Sequence, residues 1–184
     1  MNKRLKIFII SILLILVTGC SGNYNIKIND DMSIDEELYL TIDSSNNAYT
    51  KTLKIFKENN IPEKDYEVVL SDNNVRITYN KKYNSIEEYL LDTKIYHELI
   101  DEIQFNKSND YIDLYVNQKL KLSNDNVIKT NGTNLTDLDV LQINIENPFD
   151  VNFSNAEIVN DNVYTWTIKK GDIEKKIQMQ FKPS

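Results

Sequence analysis

The sequence predicts an α+β fold: an antiparallel sheet of about seven to eight strands with two helices packed on one of its faces. Three observations carry this. Segments of period-2 and helical apolar spacing follow in the order β-β-α-β-β-α and then a run of strands. The connections between neighbouring strands are of hairpin length, which favours antiparallel pairing. Two amphipathic helices suffice to cover one face of such a sheet. With 184 residues, 41% hydrophobic and 10% aromatic, the chain can build one packed core, and wholesale disorder is excluded.

The elements follow in order. Tyr24, Ile26 and Ile28 alternate with polar residues, as a strand with one buried face should. Asp30-Asp31-Met32-Ser33 reads as a turn, and Ile34 to Ile42 as the returning strand. Ser44 or Ser45 caps a helix from about Asn46 to Asn59. Its stripe is Ala48, Tyr49, Leu53 and Phe56, with Thr52, while Lys51, Lys54 and Lys57 face water. Asn60 suits the left-handed residue that ends a helix, and Pro62 stops its continuation. Tyr66 to Leu70 and Val75 to Tyr79 form a hairpin around Ser71-Asp72-Asn73-Asn74.

Ser85-Ile86-Glu87-Glu88 is a capping box, in which the Ser85 hydroxyl accepts from the Glu88 amide and the Glu88 carboxylate reaches back. The helix it opens carries Ile86, Tyr89, Leu90, Tyr96, Leu99, Ile100 and Ile103, with Thr93-Lys94 as a break or kink. Strands follow at Tyr111 to Val116, more weakly at Lys119 to Leu122, then at Leu138 to Ile145, Val163 to Ile168 and Ile173 to Phe181. In the last, Ile173, Ile177, Met179 and Phe181 share a face. The Asn-rich stretch from Ser123 to Thr136 is the longest expected loop.

The first twenty residues read as an address. Lys3, Arg4 and Lys6 precede an apolar run from Ile7 to Val17, about the length of a signal-peptide core and short for a membrane span. Val17-Thr18-Gly19-Cys20 then resembles the lipobox of bacterial lipoproteins. Small residues let an extended backbone enter the signal peptidase, and the Cys20 thiol is the atom that receives diacylglycerol. The expected organisation is a signal peptide at 1–19, a lipidated tether at 20–22 and a single domain at 23–182. Removing the peptide takes away three positive charges and no negative ones, so the net charge of −7 becomes −10. That charge would be repelled by an anionic membrane surface, so the lipid must dock the domain. The acidic balance also argues against a nucleic-acid partner.

Little in the mature chain reads as catalytic. His97, the one His, has Glu98 and Asp101 beside it, but no G-x-S-x-G elbow or H-E-x-x-H motif supplies partners. A structural place on the helix is the simpler reading. Four glycines leave no phosphate-cradling loop. Acids cluster at Asp35-Glu36-Glu37, at Glu98-Asp101-Glu102 and at Asp137-Asp139. None matches a calcium loop, and none has a spacing diagnostic of glycoside hydrolysis, so solvated faces explain them best. Trp166 alternates with Tyr164 and Ile168, which suits a core Trp better than a sugar-stacking one. Tyr49, Phe56, Tyr89 and Tyr96 either border an apolar cavity under the helices or, more simply, fill the core.

The mature chain resembles the LppM-type lipoprotein domain family of Gram-positive bacteria. The resemblance lies in the opening strand and turn, Tyr24 to Ser33, and in the helix, hairpin and capped helix from Ser45 to Leu91. It continues at Pro148, Ser154-Asn155-Ala156, Asn160-Asp161-Asn162 and Thr165-Trp166-Thr167-Ile168. Met32 and Asp161 stand where relatives have turn glycines, so both turns need another residue type to reach that geometry. The resemblance implies a lipid-anchored extracytoplasmic α+β domain with a curved antiparallel sheet and no catalytic residues. The expectation is a non-enzymatic lipoprotein held in the cell membrane by diacylglycerol on Cys20, with no other cofactor or metal. Its ligand would be a lipid or glycolipid. The alternative is an envelope interaction or assembly factor, and the remote one a carboxylate-based envelope hydrolase.

Overall fold

The computed structural model describes residues 20–43, 48–58, 60–93, 103–107, 111–116, 138–170, 172 and 175–183. The strands are β1 (Ser21–Ile28), β2 (Ile34–Asp43), β3 (Tyr66–Leu70), β4 (Asn74–Tyr83), β5 (Ile103–Lys107), β6 (Ile112–Val116), β7 (Val140–Glu146), β8 (Asp150–Ser154), β9 (Ile158–Asn160), β10 (Val163–Lys169) and β11 (Gln178–Lys182). The helices are α1 (Ala48–Glu58) and α2 (Ile86–Asp92). A 3-10 turn, Glu63–Asp65, leads into β3.

The α+β class stands, with a curved, unclosed main sheet. That sheet has seven strands in the order β3-β4-β2-β1-β7-β10-β9. Two features differ from the expectation. β1 and β7 run parallel, so the main sheet is mixed. A second sheet, in the order β5-β6-β11-β8, takes the remaining strands. β1 and β7 are far apart in sequence, so no hairpin fixes their relative direction.

The alternation read from the sequence sets the inner face. Tyr24 lies between Leu38 on β2 and Ile143 on β7, and Ile143 continues to Trp166 on β10. On the other side, Leu38 is paired with Tyr79 and Ile34 with Tyr83 on β4. All of these side chains are buried in a single core cluster. The outer face is polar. Thr165 donates to Asn144 (2.7 Å), Asn144 to Asn25 (2.8 Å) and Asn25 to Glu37 (2.8 Å), a chain of bonds across four strands.

Among the described residues other than glycine, three take the left-handed backbone: Met32 (φ 65°), Asn60 (φ 53°) and Asp161 (φ 54°). Met32 and Asp161 therefore do adopt the geometry that glycines give the resembled family. Local bonds hold the first of these turns. The Met32 amide donates to the Asn29 carbonyl (2.9 Å), and the Ser33 hydroxyl and amide both donate to Asp31. Those donors hold the Asp31 carboxyl below its ordinary pKa. Asn60 ends α1 as expected, and the Ile61 amide returns to the Phe56 carbonyl (2.8 Å).

The capping box forms: the Glu88 amide donates to the Ser85 hydroxyl (3.1 Å), and the Glu88 carboxylate accepts from the Asn84 amide (2.6 Å). The helix it opens ends at Asp92, at the break expected from Thr93-Lys94, and Thr93 is extended. Tyr96, Leu99 and Ile100 lie outside the described residues, and Ile103, assigned above to the same helix, begins β5. The tether is shorter than expected. Ser21 and Gly22 are already paired with Thr41 and Leu40, so β1 begins one residue after Cys20. Of the strand expected from Ile173 to Phe181, Ile173 lies outside the described residues, residues 175–177 are not strand and β11 begins at Gln178; β8 and β9 form where the sequence suggested none.

The helices and the second sheet complete the core. Phe56 of α1 packs edge-on against Tyr66 (5.1 Å between centroids) and beside Tyr79 (6.1 Å). Tyr89 of α2 meets Tyr83 edge-on at 5.3 Å. Near β10, the Trp166 indole N–H donates to Asn155 (2.8 Å), as a buried Trp requires. Asn155 also accepts from the Gln178 amide of β11 (2.9 Å), so one side chain ties the two sheets together. Phe149 stacks on Phe181 at 5.9 Å.

Candidate functional site

Three places bear on function: the residue that begins β1, a buried acid beneath the helices, and a polar cleft on the outer face.

Cys20 continues the inward phase of Gly22 and Tyr24 and is 5% exposed. Asp139 grips its backbone from both sides. The Cys20 amide donates to the Asp139 carboxylate (3.0 Å), and the Asp139 amide donates to the Cys20 carbonyl (2.7 Å). The Lys170 ammonium lies 3.7 Å from the same carboxylate. Gly22 is needed close by: a Cβ there would lie 3.0 Å from Leu138 and Leu141 methyls and 3.1 Å from Leu40. Val17, Thr18 and Gly19, the proposed signal-peptidase residues, lie outside the described residues. So do His97, the acids Glu98, Asp101, Glu102 and Asp137, and Tyr96, as does the side chain of Tyr49.

The acidic run Asp35-Glu36-Glu37 divides. Asp35 and Glu37 point outward, but Glu36 points into the core and is 1% exposed. This corrects the reading of that run as a solvated face, because strand alternation sends every second residue inward. Hydroxyls surround the Glu36 carboxylate. Tyr24 (2.5 Å) and Thr93 (2.6 Å) donate to Oε1, and Tyr83 (2.6 Å) and Tyr79 (3.4 Å) donate to Oε2. With the Tyr24 proton committed to Glu36, the Tyr89 hydroxyl 2.8 Å away donates to the Tyr24 oxygen.

Burial first, and then the Glu36 charge, push the Tyr24, Tyr79 and Tyr83 phenols well above their ordinary pKa. All three are therefore neutral donors at physiological pH. Lys81, in register with Glu36, lays its ammonium over the Tyr83 ring at 4.5 Å from the centroid. Thr93 supplies a donor because α2 stops there. The break expected at Thr93 is thus the point at which the backbone turns a hydroxyl onto the acid.

The outer cleft encloses about 790 Å³ and is lined by Asn25, Lys27, Asp35, Glu37, Asn80 and Lys82, among others. Its charges are mostly paired. Lys27 lies 2.9 Å from Glu146, whose hydrogen bond and charge raise the lysine pKa, and Lys82 lies 3.1 Å from Asp35. The result is a water-facing surface rich in amide, carboxylate and ammonium groups. Among the described residues, no group of three or more His, Cys, Asp or Glu side chains could hold a metal ion. Trp166 is fully buried, so the core reading of that residue stands. Phe56 and Tyr89 are fully buried too, each packed against neighbouring rings, as core-filling residues are.

No family model matches the chain, and no curated protein matches it. Among solved structures, it is similar to the NMR structure of the folded domain of LppM from Mycobacterium tuberculosis. The two superpose with a TM-score of 0.60 over 90% of each chain, at 13% sequence identity. The chain thus has the fold of the LppM folded domain, as the opening strand, turn and Trp-bearing strand led one to expect.

Proposed function

We propose that this chain is a non-enzymatic lipoprotein, anchored by diacylglycerol on Cys20 at the extracytoplasmic face of the cell membrane, whose domain binds a lipid or glycolipid. The observation that carries the anchor is Val17-Thr18-Gly19-Cys20, placed directly before β1 and after a basic, apolar leader. The likeness of fold to LppM supports the same reading.

The non-enzymatic part is supported by Glu36. It is the most sheltered acid among the described residues, and both of its oxygens are occupied by hydroxyls of the protein itself. A ligand with a polar headgroup would find its partners in the outer cleft, where Asn25, Asn80 and the paired charges offer donors and acceptors to hydroxyl groups.

A second reading, an envelope interaction or assembly factor, is favoured by β9. This edge strand of the main sheet is exposed along its whole length, with Ile158 56% and Val159 54% exposed. Exposed apolar edges pair readily with other chains.

Fractionation of a Cys20→Ser variant tests the anchor: the variant should leave the membrane fraction, and a wild-type distribution would overturn it. Native mass spectrometry of the wild-type protein extracted from its host tests the ligand. A co-purifying lipid or glycolipid is expected. Its absence, together with specific cross-links to an envelope protein that are lost on Ile158→Lys, would move the function to the second reading.

A further inference from the structure

Cys20 and the tip of the β3–β4 hairpin lie at the same end of the main sheet. The register fixes this. Ser21 pairs with Thr41, Thr41 with Arg76 and Arg76 with Val69. One row further out stand Cys20, Ile42, Val75 and Leu70, with Val75 joining Ile42 to Leu70. Leu70 is 70% exposed and Val69 45%, at the end of an edge strand. Three strand spacings, about 14 Å, separate them laterally from β1.

Cys20 leaves no slack. β1 opens at the next residue, and Asp139 bonds both the amide and the carbonyl of Cys20. A lipid on the Cys20 sulfur would start from a fixed point of the sheet, so the bilayer surface would lie against this end. Among the described residues of this end, Arg76, Lys169 and Lys170 stand against Asp43, Asp72, Asp139 and Asp172, so opposite charges largely offset one another there. That near balance lowers the repulsion expected of a −10 chain. The turn beyond Leu70 (Ser71, Asp72, Asn73) is polar, which suits the headgroup layer and limits the depth that Leu70 can reach.

We propose that Val69 and Leu70 form a second, non-covalent membrane contact, which enters the bilayer interface beside the lipid anchor and holds the sheet end-on to the membrane. This rests on the lipid-anchor reading. Its consequence is a fixed orientation. Lys27, seven residues along β1, and the polar cleft around it face away from the bilayer, about 23 Å from the anchor.

The test uses the full lipidated protein in vesicles of phosphatidylglycerol and brominated phosphatidylcholine. Two variants are compared, Leu70→Trp and Ile158→Trp. The second lies five residues further along the sheet than the Leu70 row, where Ile158 aligns through Thr165 and Asn144 with Asn25. Bromine should quench at least half of the added Trp signal of L70W and less than about a tenth of that of I158W. Buried Trp166 serves as the unquenched internal reference and reports that both variants are folded. Equal quenching of both variants, or none in L70W, while the protein sediments with the vesicles, would overturn the orientation and leave the anchor standing. Failure of wild-type protein to sediment with the vesicles would overturn the anchor reading and this inference with it. A dimer in detergent that L70D dissociates would assign the tip to a second copy, and so also overturn it.

Discussion

The inner face of the main sheet is built in two ways. Across β4, β2 and β1, beneath the helices, it is knotted around a carboxylate: Glu36 with the hydroxyls of Tyr24, Tyr79, Tyr83 and Thr93. Across β7 and β10, where the second sheet meets it, the core is Ile143, Trp166, Phe149, Met179 and Phe181, with single polar ties such as Trp166 to Asn155. Apolar packing tolerates changes of shape at a graded cost. A buried charge does not, because each lost donor leaves part of it unsatisfied. The polar half therefore specifies how α2 ends and where Thr93 sits, and the apolar half supplies bulk hydrophobic stabilisation.

Substitutions in the two halves should break in different manners. The largest effect is expected from Glu36→Ala, which strands the surrounding hydroxyls and opens a cavity. About 3–5 kcal/mol of stability should be lost in denaturant unfolding. Phe181→Ala in the apolar half should cost about 3–4 kcal/mol through its cavity and the lost stack on Phe149. Within the polar half, Tyr83→Phe removes a 2.6 Å bond to the carboxylate and should cost about 1.5–3 kcal/mol. Tyr79→Phe, whose bond is 3.4 Å long, should cost under about 1 kcal/mol.

Combining substitutions sharpens the contrast. Tyr83→Phe should add little once Glu36 is gone, whereas Phe181→Ala and Tyr83→Phe should be additive within about 0.5 kcal/mol. Additivity of Glu36→Ala with Tyr83→Phe would break the comparison.

The smallest expected effect is spectroscopic. Of the eleven tyrosines in this chain, Tyr24, Tyr79 and Tyr83 carry pKa values raised on folding. Their contribution to stability is complete below the unfolded-state value of 10 and is lost as pH rises towards the raised values, because the unfolded chain releases phenol protons more easily. The absorbance rise from this buried set should come well above pH 10 and coincide with global unfolding. A single step near pH 10 would show that the cluster is open to water.

Much of this was written in the sequence. The alternation of Tyr24, Ile26 and Ile28 located the inner face, and Asn60 marked the end of α1. Met32 and Asp161 took the left-handed backbone that their place in the resembled motif demanded. Glu36 was legible but hidden. It is in phase with Ile34, Leu38 and Leu40, yet it stands in an acidic run and reads as solvated when its neighbours are weighed before its phase. Other features left no local signal. Periodicity tells which face of β1 is buried but not that β7 lies beside it in parallel. β9 is exposed along its whole length, so it has no alternation to read. Ile103 keeps helical spacing with Ile100 in the sequence, yet it opens β5, where apolar residues of a short strand give no period to tell the two apart.

In the proposed lipoprotein, Cys20 becomes the first residue of the mature chain and carries lipid on its sulfur. Intact mass spectrometry of the protein extracted from host membranes tests it most directly. A chain that begins at Cys20 and is heavier than its polypeptide by a thioether-linked diacylglyceryl group is expected. A chain that retains residues 1–19, or one cleaved at Cys20 with an unmodified thiol, would contradict it.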